Sequence, residues 1–241
     1  MSYPTLRLHP RKEESVLRFH PWIFSGAIAS FSAPVEDGDL VSVVDSKGRP
    51  LGTGHFGGGS IAVRLLSFDA EEVIDRAFYK RRLEAALRLR LSCDLVRPVG
   101  SSDSPNTTYR LVHGEGDSLP GLIIDIYDRT AVVQAHSLGM HQARQTIAEV
   151  LWEVFAEAGD LVLPLEGIYY KSETTLPTRD MRELASDGFL IGHTEAAPIY
   201  ENGVRFTPDW LKGQKTGFFI DQRDNRALVA HYAKGRTVLN A

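Results

Sequence analysis

The sequence predicts a mixed α/β protein made of three consecutive units. Short apolar runs separated by turn clusters fill residues 1–70 and predict a small β-barrel. Residues 71–196 combine strand and helix patterns, which predict a central α+β domain that opens with a connector helix. Residues 197–241 predict the opening of a doubly wound, Rossmann-like domain, because an amphipathic helix there leads into an apolar strand.

Four apolar runs define the predicted barrel, with turn clusters rich in Asp, Gly and Ser between them. The glycine cluster at residues 57–60 lacks the Gly-Lys-Ser/Thr ending of a phosphate-binding loop and predicts a hairpin tip. The runs are Trp22–Ile28, Leu40–Val44, Leu51–Gly54 and Ile61–Leu66.

The central unit opens with a predicted helix that Asp69 and Glu72 would cap and that continues to about Leu91. Its basic side is typical of a solvated face. Two β-rich runs then flank a tight Asp128-Arg129 connection, and a helix follows with one apolar stripe. The predicted central strands are Leu122–Tyr127, Thr130–Ala135, Gly167–Lys171 and Gly188–Gly192, and the stripe is Ile147, Val150, Leu151, Val154 and Phe155.

The third unit starts with a predicted hairpin over Ile199–Phe206, because Asn-Gly accepts the positive φ angles of a two-residue turn. Asp221 is a predicted helix cap, and Gly235 is the predicted end of that helix. The expected apolar face consists of Leu228, Val229 and Tyr232. A buried strand is expected from Thr237 to Ala241.

The charge, the apolar runs and the cysteine content of the sequence exclude several functional classes of protein. The 241 residues carry a net charge of -4, which argues against a protein that coats nucleic acid through bulk positive charge. Acidity is concentrated in residues 109–200, with six Lys/Arg against fourteen Asp/Glu, so we expect polyanion contacts in the other units. The sequence shows no membrane-spanning run or signal peptide, and its single cysteine is typical of a reducing compartment. These features predict a cytoplasmic protein.

Three blocks of sequence carry a family resemblance. Phe19–Ile28, with Gly54–Ser67, resembles a PUA domain, and His113–Asp125 resembles the central domain of the same proteins. Gly213–Arg226 resembles the entry to their methyltransferase domain. Together they resemble the amino-terminal half to two-thirds of class I large-subunit ribosomal RNA cytosine-C5 methyltransferases. The resemblance implies S-adenosyl-L-methionine as cofactor and ribosomal RNA as partner, and it leaves a homodimer open.

The Gly213–Arg226 block has the composition of a small-molecule site. Cations surround a glycine that permits close backbone approach, and the adjacent Phe218 and Phe219 could floor an apolar pocket. In the alternative interpretation, the rings belong to the core, Asp221 only caps a helix and the cations are solvated. The resemblance favours the first interpretation and places Lys215, Thr216, Phe218 and Asp221 on the rim of the cofactor pocket. It places Gln214 and Arg223 on the same rim or against RNA phosphate.

The first unit contains the candidate RNA-binding residues, since a local basic face can hold structured RNA on a neutral domain. Those candidates are Arg11, Lys12, Arg18 and Arg64. Trp22 is predicted to lie in the core. Glu115 and Asp117 are expected to shape a turn rather than to act as catalytic carboxylates, because no third ligand or base stands at a suitable spacing.

No catalytic residue is assigned. Cytosine-C5 methylation needs a thiolate that adds to carbon 6, but Cys93 lies far in sequence from the cofactor block and is expected to be incidental. The resemblance places the nucleophile and the glycine-rich cofactor turn beyond residue 241, so the chain itself is expected to be an inactive fragment. The sequence offers no metal site. A noncatalytic RNA-binding or ribosome-assembly protein is the alternative, and guanine or protein methylation is also left open.

Overall fold

The computed structural model describes residues 3–101, 103–177 and 186–239, and its strands form sheets of six, five and two strands. The six-stranded sheet has the order β2-β6-β5-β4-β1-β3, and β1 and β4 are its parallel pair. Alternate residues of these strands point inward and enclose one core, which includes Leu6, Val41 and Val63. A short helix, α1, spans Glu14–Leu17. The strands are β1 Thr5–Leu8, β2 Trp22–Phe24, β3 Ile28–Phe31, β4 Leu40–Val44, β5 Pro50–Phe56 and β6 Ile61–Ser67.

Two sequence predictions in this unit were wrong. The run Trp22–Ile28 is not one strand, because a 3-10 turn at Ser25–Ala27 separates β2 from β3 and carries them to opposite edges of the sheet. Trp22 is only half-buried, because it lies on the outward face of an edge strand. Strand β1 was not predicted.

The connector helix α2 spans Arg76–Ser92 and is capped by Asp75, whose carboxylate accepts the Phe78 amide hydrogen at 2.9 Å. The predicted cap at Asp69 was wrong: the carboxylate of Asp69 accepts the amide of Glu71 in a turn that precedes the helix. The basic side of α2 is paired as well as solvated. Lys80 Nζ, for example, lies 2.5 Å from Glu153 Oε1 on a neighbouring helix.

The central sheet has the order β11-β10-β9-β8-β7 and confirms the predicted strands to within one residue. Strands β9 and β10 are parallel, which requires a crossover connection, and two helices provide it. The predicted apolar stripe of α4 is buried against the sheet. The elements are β7 Thr108–His113, which the sequence did not predict, β8 Leu122–Tyr127, β9 Thr130–Ala135, α3 Leu138–Gln142, α4 Arg144–Ala158, β10 Gly167–Tyr170 and β11 Gly188–Gly192.

The first two units pack closely at Gly139 of α3. A Cβ atom at this position would lie 2.2 Å from Cγ of His55, so only glycine leaves room for the imidazole ring. His55 is buried there, and its Nδ1 has no hydrogen-bond partner among the described residues. Burial of this kind fixes the position of the six-stranded sheet against the central unit.

The last unit contains the predicted hairpin, with β12 at Ile199–Glu201 and β13 at Val204–Phe206. Asn202 and Gly203 have φ angles of 49° and 80°, as the Asn-Gly turn requires. A 3-10 turn at Ile220–Gln222 leads into α5, which spans Arg223–Ala233. No described helix is long and apolar enough to cross a membrane.

Three predictions for this unit need correction. Asp221 does not cap α5. It lies in the 3-10 turn that precedes the helix, and its side chain contacts Lys215 and Gln222 instead. The apolar face of α5 is exposed rather than buried. Residues 237–239 form no strand, since no described strand lies beside them to pair with their backbone, and Leu239 is 89% exposed. Asn240 and Ala241 lie outside the described residues.

Candidate functional site

A cleft of about 1170 Å³ lies where all three units meet. Its walls come from β2 and β6, from the central sheet and from the segment 211–221. Clefts of this size at domain junctions are common places for small ligands. Residues on its three walls include Trp22 and Arg64, Gln134 and Lys171, and Gln214, Lys215 and Asp221.

Residues 213–218, here called the rim loop, form one edge of the cleft. Two buried side chains of the central unit hold the backbone of this loop. Lys171 Nζ donates a hydrogen bond of 2.7 Å to the Gly213 carbonyl, and Gln134 Nε2 donates one of 3.3 Å to the Lys215 carbonyl. Burial lowers the pKa of Lys171. The rim loop is therefore anchored to the central sheet through its carbonyl groups.

A buried polar network anchors the rim loop a second time. Arg110 forms a two-pronged ion pair with Asp125, at 2.8 and 3.0 Å, and Asp125 is fully buried. Thr216 donates to the same carboxylate at 2.6 Å, and the Tyr127 hydroxyl lies 2.8 Å from Thr216 Oγ1 and 3.5 Å from the Phe218 carbonyl oxygen. Charge-assisted hydrogen bonds of this kind are among the strongest in proteins.

Three of the predicted cofactor residues line the cleft: Gln214, Lys215 and Asp221. Lys215 Nζ lies 3.4 Å from Asp221 Oδ1 and 4.5 Å from the centre of the Phe219 ring. Hydrogen bonding from Gln222, together with the charge of Lys215, lowers the pKa of Asp221. This edge of the cleft presents a cation, a carboxylate and an exposed aromatic ring within a few residues.

The other three predicted cofactor residues do not line the cleft. Thr216 belongs to the rim loop, but its side chain is buried in the network just described, and the Arg226 guanidinium lies 4.4 Å from the centre of the Phe218 ring. Arg223 Nη2 donates to the Thr108 carbonyl at 2.9 Å, and burial lowers its pKa. The side chains of Thr216, Phe218 and Arg223 thus make contacts within the protein. Direct contact of these three residues with the cofactor stays a prediction.

The four predicted RNA-binding residues lie in two places. Arg64 is in the cleft wall, next to the residues of the central unit. Arg11, Lys12 and Arg18 are exposed around α1, away from the cleft lining. RNA contact by any of the four stays a prediction.

Sequence reasoning missed the role of Trp22 and Glu115. Trp22 Nε1 donates a hydrogen bond of 2.8 Å to Glu115 Oε1, which joins the first unit to the turn between β7 and β8. Asp117 accepts the His113 amide at 2.6 Å and pairs with Arg90, so it does shape that turn as predicted. One sequence signal could have indicated that Trp22 is half-exposed: the indole N–H of a tryptophan that follows a turn needs a hydrogen-bond partner.

The chemistry of the rim fits a zwitterionic ligand with an aromatic ring. Lys212 and Lys215 line the cleft and could meet a carboxylate, while the exposed Phe219 ring lies beside Lys215, outside the cleft lining. Cys93 is exposed at the end of α2, outside the cleft lining. No metal-binding cluster occurs within the described ranges.

The chain is similar to known proteins both within its first unit and along nearly its whole length. A family model for the PUA-like domain matches residues 6–68. The ribosomal RNA large subunit methyltransferase I of Shewanella amazonensis is 39% identical over 238 residues, covering 98% of this chain and 56% of the relative. The protein of the same name from Shewanella denitrificans is 40% identical over 240 residues, with the same two coverages.

Two solved structures share the fold. A Streptococcus mutans protein described as a candidate SAM-dependent methyltransferase superposes with a TM-score of 0.73 at 20% identity, covering 95% of this chain and 54% of its own. A second candidate methyltransferase, complexed with SAH, gives a TM-score of 0.72 at 20% identity, covering 94% and 52%. This chain thus spans about half the length of the proteins it matches. Nearly the whole chain is thus similar to the ribosomal RNA large subunit methyltransferase I proteins, and residues 6–68 match a PUA-like domain.

Proposed function

We propose that this protein is an S-adenosylmethionine-dependent methyltransferase of large-subunit ribosomal RNA, with cytosine carbon 5 as the methylated atom. The observation that carries the proposal is the cleft, in which the rim loop and the PUA-like unit face one space. Relatives named for this activity match nearly the whole chain, which supports the same assignment. The cytoplasm is the proposed compartment, and a homodimer remains a proposal without support among the contacts described.

Within this proposal, the residues of this chain bind the cofactor and orient it. Lys215 and Lys212 would hold the cofactor carboxylate, while at the same edge Gln214 would donate or accept hydrogen bonds and Asp221 would accept them. The cofactor supplies the transferable methyl group when bound. Lys171, Gln134 and Asp125 would keep the rim loop in the binding position.

The test is calorimetric binding of S-adenosylhomocysteine to the 241-residue chain. We expect Lys215→Met to weaken binding about tenfold, which corresponds to about 1.4 kcal/mol, a typical contribution of a charge-assisted hydrogen bond. Lys234→Met is the matched control, because Lys234 lies at the end of α5, outside the cleft lining, and should leave binding unchanged. Equal binding by wild type and Lys215→Met would remove Lys215 from the site.

The alternative is a noncatalytic RNA-binding or ribosome-assembly protein, which the PUA-like unit alone would permit. Filter binding with ribosomal RNA separates the two functions. RNA binding without any S-adenosylhomocysteine binding would favour the alternative. Charge reversal at Arg11 and Lys12 should weaken RNA binding and flatten its dependence on salt, because each lost phosphate contact lowers the slope.

A further inference from the structure

We propose that Trp22, which lines the cleft, and the neighbouring Phe24, which lies outside the cleft lining, form a stacking surface for the unpaired bases of single-stranded RNA. This inference rests on the proposed function and specifies the form of RNA that the protein takes. Both aromatic residues belong to the PUA-like unit, and neither is one of its four predicted RNA-binding residues.

The two rings lie on an edge strand and point to the same side. Trp22 and Phe24 alternate with the buried Ile23 in β2, so both face outward while Ile23 enters the core. Phe24 is 52% exposed and Trp22 is half-buried. His20 extends this row, with ring centres 5.7 Å from His20 to Trp22 and 6.5 Å from Trp22 to Phe24. Three neighbouring aromatic rings therefore lie along one open edge of the sheet.

The Trp22 ring is held in place before any ligand arrives. Its Nε1 hydrogen is already given to Glu115, so the part left for a partner is the ring itself. A contact with the ring recognises any base, because every base has a π face. A ring that is already fixed also loses little side-chain freedom on binding, which favours affinity.

The cleft lining carries charges of both signs, including the carboxylates of Glu115 and Asp221, and its cations favour a nucleic acid over an apolar protein partner. Arg64 is the register partner of Trp22 on β6, so both side chains point to the same face of the sheet. Both residues line the cleft, and Lys212 lines its opposite edge. Aromatic rings next to cations are the combination that binds single strands, with stacking for the bases and charge for the phosphates. Base pairs inside a duplex cannot offer their faces to such a surface.

The experiment measures binding of the chain to a fluorescein-labelled 12-nucleotide RNA without secondary structure and to a duplex of the same length. We expect Trp22→Leu and Phe24→Leu each to weaken single-strand binding by about 5- to 100-fold, the range that corresponds to loss of one stacked base. The salt dependence should stay as in wild type, because neither variant removes a charge. Trp22→Phe keeps a ring and should retain most of the affinity. Phe31→Leu is the matched control, since Phe31 is exposed on β3 at the other edge of the sheet.

The outcomes separate this inference from the proposed function. If the wild type binds the single strand and both Trp22→Leu and Phe24→Leu bind it equally well, the stacking surface is overturned. The proposed function would not be affected by that result. Equal affinity of the wild type for the duplex and the single strand would also overturn the stacking surface. If the wild type bound neither RNA, the proposed RNA substrate would fall together with the surface. Circular dichroism of each variant shows whether a loss of binding reflects a loss of fold.

Discussion

Thr216 Oγ1 donates a hydrogen bond of 2.6 Å to Asp125 Oδ2, although 91 residues separate the two in sequence. Asp125 lies on β8, and its carboxylate also holds Arg110 of the neighbouring strand. The rim loop is thus attached to the interior of the central sheet rather than lying on its surface. Any ligand bound at the rim would be positioned by the central unit.

Replacement of Thr216 by valine should lower the free energy of unfolding by about 1–3 kcal/mol. The side chains have similar shapes, but valine would leave a buried carboxylate without one donor and would remove the contact between Thr216 and the Tyr127 hydroxyl. Urea denaturation measures the change. Thr237→Val is the control, because Thr237 is exposed and should shift stability by less than about 0.5 kcal/mol. Equal denaturation midpoints for Thr216→Val and wild type would show that the network does not stabilise the fold.

Local patterns in the sequence predicted many of the elements, although not β1 or β7, and they did not predict the network. The Asn202-Gly203 hairpin and the apolar stripe of α4 are local signals, and the structure confirms both. The pairing of Asp125 with Thr216 joins distant segments, and no local periodicity encodes such a contact. The exposure of Trp22 has the same origin, since only the order of the strands places β2 at an edge.

Replacement of Lys171 by methionine should loosen the rim loop while the central sheet stays folded. Methionine keeps the packed length of the side chain but removes the only side-chain hydrogen bond described to the Gly213 carbonyl. We expect the amides of residues 213–217 to exchange about tenfold faster, which corresponds to about 1.4 kcal/mol of lost local stability. Hydrogen-exchange mass spectrometry measures this.

Lys212→Met is the control for that experiment, because Lys212 is the adjacent exposed lysine and its loss should leave exchange unchanged. Unchanged exchange in Lys171→Met would contradict the anchoring role of Lys171.

Replacement of Arg90 by methionine should be strongly destabilising, by about 3–5 kcal/mol. Arg90 and Asp117 are both nearly buried, with Arg90 Nη2 2.7 Å from Asp117 Oδ2, and removal of one partner leaves the other charge buried without its counterion. Arg88→Met is the matched control on the same helix. Arg88 is mostly exposed, lies 3.8 Å from Glu84 and should contribute less than about 1 kcal/mol. Similar melting temperatures for the two variants would contradict this difference.

The stability of the contact between the first two units should depend on pH through His55. Burial, assisted by the charge of Arg64, lowers the pKa of His55 to about 4, whereas an unfolded histidine titrates near 6.5. Between these values the unfolded state binds a proton that the folded state does not, so stability falls as the pH drops from about 6.5 to 4. Between pH 7 and pH 4.5 the loss from this group is about 2.4 kcal/mol, at 1.36 kcal/mol per pKa unit.

His55→Gln removes this titration, and the test compares its urea-unfolding free energies with those of wild type at pH 7 and pH 4.5. Every other titrating group is common to both proteins and cancels in the difference. We expect the wild type to lose about 2.4 kcal/mol more than His55→Gln over this interval. His231→Gln, at an exposed position on α5, should follow the wild type at both pH values. Parallel losses in His55→Gln and wild type would mean that protonation of His55 does not oppose the packing of its ring against Gly139.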